Sequence, residues 1–303
     1  MEIDIREYLG QFRDQRLIYT PNPGNGGDAL IAAGTYQVFD ELGLDYRIVN
    51  RDQPSYDQKI LIYGGGGNLG LMKNFSARML SRVHRGLKRL VILPHTIKAV
   101  TPLLEEFGPN VDVICREQIS YDYVRSVVKQ ANVYLTHDMA LNLTVQDLLD
   151  LQPSLLSKIE VASEYLLAKL KLTDAQPPSL SALRGLFRAE SLMKGMQDRA
   201  QGEVLNAFRT DSERTEIKLP DDNVDVSEIL TMGVETRALA YQASHYFLSF
   251  LNGYSVINTN RLHVCIGGML LGKKINFYPN SYYKCRAVYE YSLANHPAVT
   301  LVA

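Results

Sequence analysis

Ser255-Val256-Ile257-Asn258-Thr259-Asn260-Arg261-Leu262-His263 passes from a β-rich run into a helical pattern. Asn260 suits a helix N-cap, which places Arg261 and His263 in the first turn. A positive side chain there opposes the helix dipole, at a cost of roughly 0.3–1 kcal/mol. That choice makes sense where an anion gathers the cationic side chains and the free N–H groups of the helix start. The bland alternative is an arginine turned to solvent and a histidine packed in the core.

Other segments set comparable chemistry just after apolar runs. Pro21-Asn22-Pro23-Gly24-Asn25-Gly26-Gly27-Asp28 opens a helix, and its glycines let backbone approach a ligand closely. It is neither GxGxxG nor a Walker A loop. Asp28 suits a helix cap or a group that orients a substrate hydroxyl. Gly64-Gly65-Gly66-Gly67-Asn68 reads as a loop whose amides line a cleft floor, against the alternative of a simple flexible turn. Three successive runs end in His95, Arg116 and His137-Asp138. Arg116 is a natural bidentate partner for carboxylate or phosphate. His137 and Asp138 suit an acid or base with its orienting carboxylate, although adjacent residues need not face each other. Asn280 and Lys284 flank a further turn able to hold an anion or a sugar.

The elements that must position these residues follow from periodicity. Strands are expected at 16–20, 46–49, 59–63, 89–93, 111–115 and 133–136, with helices at 28–42, 73–87, 100–107, 117–130 and 139–149 between them. Such alternation gives a parallel, doubly wound sheet, which binds ligands beyond the carboxyl ends of its strands. A second α/β unit has strands at 204–208, 255–257, 274–277 and 299–302 and helices at 235–251, 261–271 and 284–293. Between them, helices at 154–172 and 186–200 flank the breaker-rich Asp174-Ala175-Gln176-Pro177-Pro178-Ser179. The expected organisation is an α/β chain with a Rossmann-like lobe at 1–150, a helical connector at 151–203 and a smaller Rossmann-like lobe at 204–303, the ligand cleft lying between the lobes.

Bulk properties narrow the function. The chain has 303 residues, 46% hydrophobic and 21% charged, with a formal net charge of -1, so nothing global points to nucleic acid. Cys115, Cys265 and Cys285 are odd in number and lack CxxC spacing, as expected of core residues in a reducing compartment. The N-terminus lacks a signal-peptide core, and no apolar run reaches the roughly 20 residues of a membrane span. A cytoplasmic protein is expected. No His/Cys/Asp cluster has metal-ligand spacing, so no metal is expected. Residues 75–90 carry Arg78, Arg82, His84, Arg85, Lys88 and Arg89, a solvated helix face or a contact for anionic lipid or a lipid diphosphate.

Taken together and in order, these pieces resemble the polysaccharide pyruvyl transferase family. The resemblance rests on Asn25-Gly26-Gly27-Asp28, Gly64 to Asn68, Leu93-Pro94-His95-Thr96, Arg116-Glu117-Gln118-Ile119-Ser120-Tyr121-Asp122 and Thr136-His137-Asp138-Met139-Ala140. It continues in Phe208-Arg209-Thr210-Asp211-Ser212-Glu213-Arg214, Asn260-Arg261-Leu262-His263 and Asn280-Ser281-Tyr282-Tyr283-Lys284. Members often carry glutamine at the position of His95. The resemblance implies two lobes like those of GT-B glycosyltransferases. It also implies transfer of the enolpyruvyl group of phosphoenolpyruvate onto a sugar, giving a pyruvate ketal and phosphate, with phosphoenolpyruvate as co-substrate and no cofactor. Arg116, Arg261, Leu262 and His263 are then the phosphoenolpyruvate residues. His263 is the candidate acid, and Asp28 or Asp138 the candidate base. Asn25, Gly26, Gly65, Gly66, Asn68, His95, His137, Asn280 and Lys284 form the cleft and acceptor side. The implied acceptor is a glycan of a capsule, exopolysaccharide or cell-wall polymer, or its lipid-linked precursor at the inner face of the plasma membrane. The competing readings are a nucleotide-sugar-dependent glycosyltransferase of the same fold and a non-catalytic glycan- or anion-binding protein.

Overall fold

A computed structural model of the chain describes residues 1–49, 51–52, 56–173, 177–200, 202–211, 214, 217–280 and 283–302. Of the segments singled out above, Asp174, Ala175, Gln176, Ser212, Glu213, Ser281 and Tyr282 lie outside the described residues. The strands are β1 (Leu17–Thr20), β2 (Tyr46–Ile48), β3 (Ile60–Tyr63), β4 (Gly66–Leu69), β5 (Arg89–Ile97), β6 (Val111–Cys115), β7 (Asn132–Leu135), β8 (Val204–Ala207), β9 (Val256–Thr259), β10 (Lys274–Phe277) and β11 (Val299–Leu301). Among the described residues they form a seven-stranded sheet of order β2-β1-β3-β5-β6-β7, with β4 paired to β5, and a four-stranded sheet of order β11-β10-β9-β8. Every strand pair is parallel.

Strand β1 has β2 on one side and β3 on the other, so the chain reverses its direction of travel there. At such a switch point the loops leaving the strand ends diverge and open a crevice. Strands β1, β3 and β6 of the large sheet are buried along their whole length because both faces are covered there. Ile60 and Ile62 of β3 enter one core and Leu61 and Tyr63 the other, as the period-two pleat requires. The first of these cores continues through Leu205, Ile257 and Ile275 of the small sheet. Helix Arg237–Asn252 packs directly on helix Gly26–Glu41, so apolar packing links the two sheets. Helices Leu155–Lys169, Leu180–Phe187 and Ala189–Arg199 occupy the intervening stretch. Among the described residues, no helix is long and apolar enough to cross a membrane.

Several elements depart from the periodicity reading. Strand β5 runs on through Pro94-His95-Thr96 to Ile97 instead of stopping at Leu93. Proline lacks the N–H that a ladder needs, and the β5–β6 register shifts between Ile92 and His95 to accommodate it. The extension pairs with β4, which begins inside the glycine run read as a loop and ends at Leu69, in register Gly66 with His95. Glycine has low strand propensity, and pairing to a covered neighbour overrides it. The segment at 139–149 is a 3-10 turn, Met139–Asn142, followed by the short helix Val145–Leu149.

Candidate active site

Segments following β1, β4, β5, β6, β8, β9 and β10 meet around a cavity of about 470 Å³. Its wall includes Lys98, Arg116, Arg209, Arg261 and Lys284, with His263 among them and Asp28 as an acidic member.

On the first-sheet side, Arg116 follows β6 with a side chain only 2% exposed. Its Nε donates to Thr96 Oγ1 at 2.9 Å and its Nη1 to Asp138 Oδ2 at 2.6 Å. Nη2 lies against Gly67, where a Cβ would come within 2.8 Å of it and 3.2 Å from the Lys284 side chain. The glycine makes room for two cations. Asp138 also accepts the Ala140 N–H at 2.8 Å. Burial alone would raise its carboxyl, but Arg116, His263 and that amide outweigh the burial and hold it well below the ordinary carboxylate range. His263 Nε2 lies 3.7 Å from Asp138 Oδ2, near enough for charge interaction but too long for a hydrogen bond, and is buried with no hydrogen-bond partner. The imidazole rests on Gly27, where a Cβ would come within 2.7 Å of His263 Cβ.

The helix Gly26–Glu41 begins in a capping box: Asn25 Oδ1 accepts the Gly27 N–H at 2.9 Å, and Asp28 Oδ2 accepts the Asn25 N–H at 2.7 Å. Asp28 is therefore a cap that also borders the cavity. Below it, Asn22 Oδ1 accepts from Tyr63 at 3.0 Å and Asn68 Nδ2 at 2.6 Å, and Asn22 Nδ2 donates to Gly65 O at 3.0 Å. Asn68 Oδ1 meets His95 Nε2 at 3.1 Å. Burial, and secondarily Arg116, lower the His95 pKa to about 3, so this ring is neutral.

On the second-sheet side, Arg261 is itself the residue preceding helix Leu262–Leu270, and its side chain makes no capping bond. Asn260 is not the cap. Its Oδ1 accepts the Arg209 N–H at 2.8 Å, fastening the end of β8 to the end of β9. Nor is Arg261 an unbalanced cation. Its Nε and Nη2 donate to the two oxygens of Asp225 at 2.9 and 2.6 Å, and its Nη1 lies 2.9 Å from Asp211 Oδ2. Arg209 donates from Nε and Nη2 to Asp211 at 2.8 and 2.9 Å. These carboxylates stand 36 and 50 residues before Arg261, so the local pattern did not reveal them.

Of the residues expected in the cleft, Asn25, Asp28, Asn68, Arg116, Arg261, Leu262, His263 and Lys284 line the cavity. The others do not. His95 is fully buried one layer behind Asn68, because β5 carries it past the strand end on which it was placed. Asp138 is likewise fully buried behind Arg116 and His263. His137 is exposed elsewhere, against the Tyr291 ring at 4.9 Å, with Nδ1 2.9 Å from Ser292 Oγ. Residues next to each other in extended backbone point oppositely, so only Asp138 turns inward. Gly26 abuts the Leu230 carbonyl, Gly65 abuts Pro94, and Gly66 adopts a φ of +146° beside Asn22. All three allow close backbone packing beneath the cavity. Asn280 is half-buried outside the lining. Asn22, Lys98, Asn74 and Ser227 line the cavity without having been singled out individually. Arg209 does so too, and it entered the sequence reading only within the Phe208 to Arg214 segment that carries the family resemblance. Among the described residues, no group of three or more His, Cys, Asp or Glu side chains is placed to hold a metal ion.

The fold is thus an α/β chain whose parallel strands bring cationic side chains together at one cavity near their carboxyl ends. Residues 25–282 match the family model "Polysaccharide pyruvyl transferase", and the chain belongs to that family. It is also similar to a solved structure of an uncharacterized protein from Klebsiella pneumoniae subsp. pneumoniae NTUH-K2044, at 30% identity and a TM-score of 0.70, covering 98% of this chain and 96% of that one. No curated protein matches the chain.

Proposed function

We propose that the protein transfers the enolpyruvyl group of phosphoenolpyruvate to a sugar of a cell-surface polysaccharide or its lipid-linked precursor, forming a pyruvate ketal. The observation that carries this is the convergence of Arg116, Arg261 and His263 on one cavity at facing strand ends. Phosphoenolpyruvate holds a carboxylate and a phosphate on a small frame, and the remaining guanidinium N–H groups together with helix-start N–H groups supply donors for both. The disposition of two parallel sheets about the cavity fits a two-lobed, GT-B-like arrangement.

The chemistry needs a proton at the methylene carbon and a sugar hydroxyl at the neighbouring carbon. The hydroxyl gives up its proton, phosphate departs with the bonding pair, and a second hydroxyl, its proton passing to the departing phosphate, takes its place to close the ketal. His263 is the acid. A small rotation joins its Nε2 to Asp138, which leaves Nδ1, on the Gly27 side, to exchange a proton with the ligand. Asp138, held as a carboxylate, orients His263 and does not itself reach the hydroxyl. Asp28, on the cavity wall, is the base.

Leu71 and Asn74 lie on the same wall, just before helix Phe75–Val83. Leu71 and Phe75 are exposed, as are Lys73, Arg78, Arg82, Arg85 and Lys88. That mixture suits peripheral contact with an anionic membrane surface presenting a lipid-linked acceptor.

The test is phosphate release from phosphoenolpyruvate against a panel of glycan acceptors, with mass analysis of the product. Acceptor-dependent phosphate release with a pyruvate-sized mass gain is expected. Stabilisation against heat by a nucleoside diphosphate, with none by phosphoenolpyruvate, would sink the proposal.

A further inference from the structure

Arg209 has no role in the scheme above, yet it is built into the cavity wall with unusual care. It is 7% exposed and follows β8, while Arg261 follows β9. Asn260, the residue before Arg261, holds the Arg209 N–H. Asp211 grips the Nε–Nη2 edge of Arg209 and reaches Nη1 of Arg261, so one carboxylate sets the spacing of two guanidinium groups. A long side chain loses several rotors when fixed in this way, and bridging by a single carboxylate places both guanidinium groups, with their remaining N–H donors, in advance of any ligand. Beside them, Leu262 and His263 begin a nine-residue helix whose capping residue supplies no side-chain acceptor. The first N–H groups of that helix add donors to the same wall.

The opposite wall is organised differently. Arg116 presents a single guanidinium beside Gly67, with Thr96 and Asp138 fixing its other nitrogens. That leaves Nη2, next to the Lys284 side chain, to meet a small carboxylate. Paired arginines at a helix start match a tetrahedral group that accepts from several directions.

We infer that Arg209 is an anion-binding residue of the cavity, and that with Arg261 and the start of helix Leu262–Leu270 it forms the phosphate subsite, leaving the carboxylate to Arg116. Asp211 is the positioning residue of this subsite. The inference rests on reading the cavity as the phosphoenolpyruvate site, and it fixes the direction in which that ligand lies. His263 projects from the phosphate wall towards Asp138 on the carboxylate wall, so the reacting carbons lie between the two anionic ends and beside the imidazole.

Binding of two fragments separates the ends without needing turnover: inorganic phosphate and pyruvate, each titrated calorimetrically into the full chain. Arg209→Gln is expected to weaken phosphate by about 10- to 100-fold, the range for loss of charged hydrogen bonds, and to leave pyruvate unchanged. Arg209→Lys recovers part of the phosphate affinity because charge survives while the fork does not. Arg116→Lys gives the reverse pattern, weakening pyruvate more than phosphate. Asp211→Asn weakens phosphate while its melting temperature falls by no more than a few degrees, and in turnover raises KM for phosphoenolpyruvate with kcat little altered. The inference is overturned if Arg209→Gln leaves phosphate affinity unchanged or weakens pyruvate alone, provided its melting temperature shows a folded chain. Should Arg209→Gln fail to fold, Arg209→Lys and Asp211→Asn decide by the same readout. If the unaltered protein binds neither fragment, the anion-site reading itself fails and takes the subsite with it.

Discussion

Arg116 at the end of β6 and Arg261 at the end of β9 are both buried guanidinium groups, stabilised in different ways. Arg116 has one carboxylate partner, Asp138, itself fully buried, and a threonine hydroxyl. Arg261 is held by two carboxylates, one buried and one a third exposed, and shares the latter with Arg209. A buried pair with a single partner is rigid and intolerant of loss, since removing either member leaves a bare charge in low dielectric. A chain of alternating charges that reaches solvent through Asp211 tolerates loss better, because water can take over at its exposed end. The first wall is held rigidly, and the second distributes its charge across neighbours.

The largest expected effect tests that contrast directly. Asp138→Asn is expected to cost about 3–5 kcal/mol of stability, whereas Asp211→Asn costs about 1 kcal/mol or less. Chemical denaturation of both variants measures this, and equal losses would abolish the distinction between the walls. Next comes His263, which rises from the second wall but is oriented by the first. His263→Ala is expected to lower turnover by about 100- to 10,000-fold while phosphoenolpyruvate still binds. Near-normal kcat at saturating ligand would remove it as the acid.

The third effect concerns pH and belongs to the first wall alone. His95 has its pKa lowered from an ordinary 6.5 to about 3, so between those values the unfolded chain binds a proton that the native one does not. Stability is then complete above pH 6.5 and falls as pH drops towards 3. His95→Gln is expected to flatten this part of the stability profile, and a profile identical to that of the unaltered chain would mean that His95 is not buried as described. The smallest effect is assigned to His137, outside both walls. His137→Ala should change stability by no more than about 0.5 kcal/mol and turnover by less than twofold. A large loss of activity would bring it back into the site.

Much of this arrangement was legible along the chain. Runs such as Lys59-Ile60-Leu61-Ile62-Tyr63 followed by glycines read as buried strands with open ends, and β3, β6 and β10 fall within a residue of their expected positions. The placement of Arg116, Arg261, His263 and Lys284 just after such runs sufficed to gather them at one cavity. The positive charge at the start of helix Leu262–Leu270 was a genuine oddity, but half of its explanation was internal. Asp211 and Asp225 neutralise Arg261, and both reach it from the segment between β8 and helix Arg237–Asn252, beyond any local pattern around Arg261. Periodicity equally had no means of seeing β4, where glycines form a strand only because β5 offers a partner, or of telling which of His137 and Asp138 faces inward.

The sequence by itself determined which residues stand at strand ends and helix starts, because hydrophobic period and backbone stereochemistry are local properties. It also marked the glycines, although not their purpose: Gly27 and Gly67 are small because His263 and Arg116 lie against them. Tertiary structure alone decided which charges are paired, which are buried and which face the cavity. Those outcomes depend on distances between strands far apart in the chain and on the low dielectric that burial creates, and neither exists until the two sheets have packed together.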